Sequence, residues 1–138
     1  MNTLPEDTSS APRAYEVRQY PFPTKRYVRC LSLRPDSRII AEYRRRHSRG
    51  VIWPEVLEGI RSVGVLGMDI YIHGTTLTMI METASDFDWD TAMARLATLP
   101  RQQEWEDFMA EFQDVVTGST PAEKWLPMER MFYLYDPD

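Results

Sequence analysis

The stretch Met68–Thr83, MDIYIHGTTLTMIMET, decides the fold. It holds two runs of strand-forming residues, MDIYIHG and TLTMIMET, with only His73, Gly74 and Thr75 between them. So short a connection predicts an antiparallel hairpin. In the second run Leu77, Met79 and Met81 fall on one side and Ile80 on the other, so both faces carry apolar side chains. A strand of that kind is covered on both sides. A helix can supply one cover. In a chain of 138 residues the other is expected to come from a second subunit.

Upstream, KRYVRCLSLRP (Lys25–Pro35) places Tyr27, Arg29, Leu31 and Leu33 on one side. It predicts a strand of about nine residues, closed by Pro35. Asp36 or Ser37 can cap the next helix, on which Ile39, Ile40, Tyr43 and His47 recur at helical spacing. The piece HSRGV interrupts it, and Trp53-Pro54 restarts it with proline in the first turn. Val56, Leu57, Ile60 and Val63 form the second stripe, with Gly64 as its stop.

Downstream, DWDTAMARLATL predicts a helix broken by Pro100, and RQQEWEDFMAEFQDVV (residues 101–116) another. WLPMERMFYLY (residues 125–135) is expected as the last strand. The order β-α-β-β-α-β is that of a ferredoxin-like α+β fold with an antiparallel sheet. Residues 1–23, punctuated by Pro5, Pro12, Pro21 and Pro23, are expected to be a tail. Its aromatic half, AYEVRQYPF, is expected to dock on the body or on a partner chain. Residues 24–138 form a single domain in this reading.

Composition narrows the function. A net charge of −5 argues against nucleic acid as a partner. Arg44, Arg45 and Arg46 are the local exception, but on a helix they fan around the axis and read as a solvated or salt-bridged face. Cys30 is the one cysteine, so no internal disulfide is possible. No apolar run approaches the ~18 residues of a membrane span, and the N-terminus lacks the pattern of a signal peptide. A cytoplasmic protein without membrane contact is expected.

Tyr43 and His47 are the first candidates for chemistry, because residues at i and i+4 of a helix share a face. Histidine, with an ordinary pKa near 6.5, is a usable acid or base at neutral pH. His73, beside Gly74 at the hairpin turn, reads as exposed, and two histidines without further ligand spacing predict no metal. Tyr71, on the opposite side of its strand from Ile70 and Ile72, and Trp105 read as core or as ligand contacts. Glu82 and Glu129 lie in or beside apolar strand runs, so each needs an arginine or a ligand. The chain has no phosphate loop, G-x-S-x-G elbow or H-E-x-x-H motif. What remains is acid–base chemistry on a small neutral ligand.

The combination EYRRRH…IWPEVLEGI, MDIYI, MIMETASDFDWD, QEWEDFM and EKWLPMERMFYL resembles the rhamnose mutarotase family, from about Lys25 to Leu134. The resemblance implies a homodimeric α+β barrel, free of cofactor, that interconverts the anomers of a 6-deoxyhexose such as L-rhamnose or L-fucose. It places the family's proton-donating histidine on His47 and its neighbouring tyrosine on Tyr43. The strand tyrosine falls on Tyr71, and the first of two adjacent tryptophans on Trp105. The second falls on Glu106, a departure. Four residues, Ser48–Val51, separate His47 from IWPE where rhamnose-type members are shorter. The substrate-binding set expected is therefore Tyr71, Trp105, Glu106 and Glu129, with L-rhamnose and L-fucose both open. In the expected mechanism His47 protonates the ring oxygen, Tyr43 or Tyr71 handles the anomeric proton, and Trp105 stacks on the sugar. A cofactor-free monooxygenase of the same barrel type and a non-catalytic sugar-binding dimer are the competing readings.

Overall fold

The computed structural model describes residues 13–116 and 118–135. Strand β1 (Thr24–Ser32) is followed by helices α1 (Ser37–Arg46) and α2 (Pro54–Ser62), then by strands β2 (Val65–His73) and β3 (Thr76–Ala84). Helices α3 (Trp89–Leu96), α4 (Gln102–Ala110) and the short α5 (Pro121–Lys124) precede β4 (Leu126–Pro127). The sheet order is β2-β3-β1-β4, and every neighbouring pair is antiparallel. This is the ferredoxin-like α+β arrangement.

Local chemistry sets the boundaries. Asp36 caps α1 by accepting from the N–H groups of Arg38 and Ile39. Glu42 holds Arg45 at 2.6 Å and Arg46 at 2.9 Å, so two of the three arginines serve a salt-bridged face. Gly50 sits at φ +80° in the break between α1 and α2, a region open to glycine at little cost. Pro54 opens α2, and Gly64 ends it at φ +105°. The hairpin is one residue tighter than its sequence suggests: His73 pairs with Thr76, leaving Gly74 and Thr75 as the turn.

Two elements are shorter than their sequence patterns. The apolar spacing extends α4 to residue 116, but the helix stops at Ala110. There the chain turns to pair with the end of β1: Arg34 N–H donates to Phe112 O, and Asp114 N–H to Ser32 O. The last strand, expected over residues 125–135, keeps only Leu126 and Pro127 in the ladder. Pro127 has no N–H to give, and the final bond to β1 is Met128 N–H to Val28 O. Beyond it Met131, Phe132, Leu134 and Tyr135 stand exposed.

The core lies between the sheet and the helices, around Leu31, Leu33, Tyr43, Val56, Leu77, Trp105, Met109, Phe112 and Trp125. Among the described residues the other sheet face carries no helix. Val28, Cys30, Thr78 and Ile80 are only half-buried there. Residues of the N-terminal segment reach its β2 edge, with Tyr15 edge-on to Tyr71 and Tyr20 donating from its hydroxyl to Leu66 O. Residues 1–12, the first part of the expected tail, lie outside the described residues.

Candidate active site

A cavity of about 120 Å³ opens between the helical side of the sheet and α1, α3 and α4. One buried water needs only about 10–15 Å³, so there is room for a small molecule. Tyr43 and His47 line it from α1, Arg29 from β1, Trp105, Glu106 and Gln102 from α4, and Met68 and Ile70 from β2.

His47 ends α1 as its C-cap, where the ring turns back onto its own helix. Its Nδ1 lies 2.8 Å from the main-chain oxygen of Tyr43. A carbonyl only accepts, so Nδ1 carries the proton and Nε2 of the neutral ring is a bare acceptor. Burial pushes the His47 pKa below its ordinary value, only partly offset by the Tyr43 carbonyl. At neutral pH the imidazole is therefore uncharged. The resting ring offers an acceptor at Nε2 and gives a proton from there only after taking one.

Tyr43 is buried, its ring 4.4 Å from that of His47 between centroids. Gln113 Nε2 donates to its hydroxyl at 3.4 Å, which leaves the phenolic proton free to donate in turn. Desolvation raises the Tyr43 pKa to about 12, so the phenol stays protonated. Trp105 stands edge-on to His47 at 5.4 Å and to Trp53 at 5.1 Å. Trp53 itself packs against the core. Its other neighbours are Phe108, stacked at 5.8 Å, and the guanidinium of Arg101.

Glu106 shares the cavity but is not free. Lys124 Nζ donates to one carboxylate oxygen at 3.0 Å, and Gln102 Nε2 to the other at 3.2 Å. Lys124 is almost wholly enclosed, and a capping box of Thr120 and Glu123 fixes the turn of α5 that delivers it. The Arg29 guanidinium lies 4.6 Å from the Trp89 ring, and burial lowers its pKa against the pull of Glu106.

The structure thus brings His47, Tyr43, Trp105 and Glu106 together and leaves two expected residues apart. Tyr71 projects from the helix-free face, 39% exposed, because side chains alternate along β2 and Met68 and Ile70 take the cavity side. Glu129 is exposed in the segment that leaves the sheet after Met128. Neither lines this cavity within one chain. Glu82 takes the arginine alternative, with its carboxylate 3.4 Å from Arg26 Nε. Sequence reading missed Arg29, Gln102, Gln113 and Lys124. Arg29 alternates with Leu31 and Leu33 on the core side of β1, which was a visible signal; the others carried none.

Comparison with known proteins places the chain in a family. A family model described as L-rhamnose mutarotase matches residues 26–134. An L-fucose mutarotase from Xanthomonas campestris is 38% identical over 75% of this chain and 83% of its own length. An L-rhamnose mutarotase from Burkholderia ambifaria is 33% identical over 67% of this chain and 84% of its own. The crystal structure of an L-rhamnose mutarotase from Formosa agariphila superimposes with a TM-score of 0.60 at 25% identity, covering 80% of this chain and 99% of that one.

Proposed function

The chain belongs to the L-rhamnose mutarotase family and is a sugar mutarotase, and we propose that L-fucose is its substrate and that His47 and Tyr43 carry the proton transfers. The relative named for L-fucose is more similar to this chain, over more of its length, than the one named for L-rhamnose. The bond from His47 Nδ1 to Tyr43 O is the observation that supports the acid–base assignment, because it leaves Nε2 able to accept a proton.

In this mechanism Nε2 of neutral His47 takes the proton of the anomeric hydroxyl. The C1–O5 bond breaks, C1 becomes an aldehyde, and O5 takes the proton of Tyr43. A phenol near 12 is a weak acid, but an alcohol is weaker, so the transfer to the departing O5 runs downhill. Rotation about C1–C2 presents the other face of the aldehyde. O5 then attacks C1 and returns its proton to Tyr43, while protonated His47 returns its own to O1. The two groups end as they began. Each such transfer accelerates a reaction by about 10² to 10⁴. Sugar rings open slowly in water unaided, so a pair of groups suffices. Trp105, walling the pocket beside His47, offers an apolar surface to the C–H face of the ring.

The protein acts as a homodimer in this reading. Beyond the β2 edge, where Tyr15 and Tyr20 pack, the helix-free sheet face and the exposed Met131, Phe132, Leu134 and Tyr135 have no cover among the described residues. A second copy supplies one by pairing sheet to sheet and receiving the C-terminal segment. Tyr71 and Glu129 would lie in that interface.

NMR exchange between the anomeric protons of L-fucose and of L-rhamnose, with and without protein, tests the assignment. Faster exchange with L-fucose than with L-rhamnose is the expected result. A preference for L-rhamnose overturns the substrate, and no acceleration of either overturns the mechanism.

A further inference from the structure

We propose that Arg29, Gln102 and Glu106, braced by Lys124, form a hydroxyl-reading end of the pocket that selects the sugar by its configuration at C4. The inference rests on the mutarotase reading and extends it from the reacting atoms to the far side of the ring.

Position is the first argument. Tyr43 and His47 line the 120 Å³ cavity but not its neighbour. Arg29, Gln102 and Glu106 line it too, and also an adjoining cavity of about 290 Å³ bounded by Trp89, Met93 and Pro121. The cluster therefore sits at the end of the pocket that leads away from the acid–base pair. With C1 and O5 held at that pair, the atoms reaching the cluster are those across the ring, and C4 lies directly opposite C1.

Unmet hydrogen bonding is the second. Gln102 is buried, yet its Oε1 has no partner among the described residues, and neither has the buried Nε–H of Arg29. One is an acceptor and the other a donor, the complement of a hydroxyl that both gives and takes. Such atoms are completed by solvent or by a ligand that displaces it, and one sugar hydroxyl can supply both bonds at once. Lys124 and Glu106 explain each other as an ion pair joining α5 to α4, but they leave those two atoms unexplained. The ion pair's part is to lock Gln102, whose Nε2 is committed to Glu106, so that Oε1 is aimed rather than free to rotate. Lys124 is already paired with Glu106, and what remains unmet is one donor and one acceptor, a match for a neutral hydroxyl.

The test compares L-fucose with 6-deoxy-L-glucose, which differs from it only at C4, using the full chain and two readouts. Anomeric exchange by NMR reports catalysis, and tryptophan fluorescence, from Trp89, Trp105 and Trp125 around the cavity, reports binding. The wild type should favour L-fucose by about tenfold or more in both. Arg29→Met and Gln102→Met should each bring the two sugars to within about threefold by lowering L-fucose alone. Thermal unfolding of both variants identifies any that has lost its fold, and the other then decides. Exchange that is fast but equally selective in the folded variants overturns the subsite and leaves the mutarotase mechanism standing. Selective binding without exchange supports the subsite and overturns the mechanism instead. A wild type indifferent to C4 in both readouts overturns the subsite.

Discussion

The imidazole of His47 donates from Nδ1 to the carbonyl of Tyr43, 2.8 Å away and one turn back on the same helix. That bond fixes the tautomer, leaves Nε2 of a cavity-lining ring as an acceptor and ties the proposed base to the backbone of its partner. Removing the imidazole removes the first proton acceptor. His47→Ala should slow anomer exchange by about 10² to 10⁴ while substrate binding, read by fluorescence, changes far less. An unchanged exchange rate would rule His47 out.

The same burial sets a pH dependence. The folded pKa of His47 is depressed below 6.5 and the unfolded one is not, so the unfolded chain takes up the proton first as pH falls. The contribution to stability is complete above about pH 6.5 and is lost as pH drops towards the folded pKa. Activity follows the neutral form, so kcat/KM should be flat near neutrality and fall on an acid limb whose midpoint lies below 6.5. His47→Ala should abolish the limb in whatever activity remains. Activity that instead falls as pH rises through the His47 pKa would mean that the ring works from its charged form.

Tyr43 separates binding from proton delivery. Tyr43→Phe keeps the ring against His47 and Phe112 but deletes the hydroxyl that accepts from Gln113. Exchange should fall by about 10² to 10⁴, the worth of one general-acid transfer. Gln113→Leu should act less strongly, because it frees the phenol without removing it. Equal effects from the two would assign the chemistry to Gln113's positioning alone.

Much of this was legible in the sequence, and the exceptions have physical causes. The hairpin, both caps of the α1–α2 pair and the core stripe of α4 follow from local rules, since turn chemistry and periodicity act within a few residues. The Tyr43–His47 pair was legible for the same reason, being a helical i, i+4 relation. Tyr71 was not, because alternation shows that it opposes Ile70 but not which side faces the helices. Lys124 could not have been foreseen: its partner Glu106 is eighteen positions away in sequence, and only the packing of α5 on α4 joins them. The early end of α4 at Ala110 is a tertiary override, with the β1 end competing successfully for the backbone of residues 112–114.

The exposed C-terminal segment predicts an assembly. Phe132→Asp with Leu134→Asp places two charges where the proposed interface buries apolar side chains, which are 70% and 72% exposed in one chain. Analytical ultracentrifugation should show the wild type as a dimer and the double variant as a monomer at the same concentration. A wild type that sediments as a monomer would overturn the homodimer.

Gly64 carries a different kind of prediction, one about the frame that holds the pocket. It ends α2 at φ +105°, outside the left-handed region that other residues visit, and leads directly into Val65, a residue of the cavity wall. A Cβ built there would also stand 3.3 Å from two ring atoms of Phe87, itself edge-on to Tyr27. Gly64→Ala therefore combines backbone strain, about 1–3 kcal/mol, with a displaced aromatic ring on the sheet side of the site. The melting temperature should fall by several degrees. Gly50→Ala makes the control, since it too has a positive φ but nothing within 4 Å of the new Cβ. Its effect should be the smaller of the two. Equal losses would mean that backbone strain alone matters at both positions and that the Phe87 contact contributes nothing.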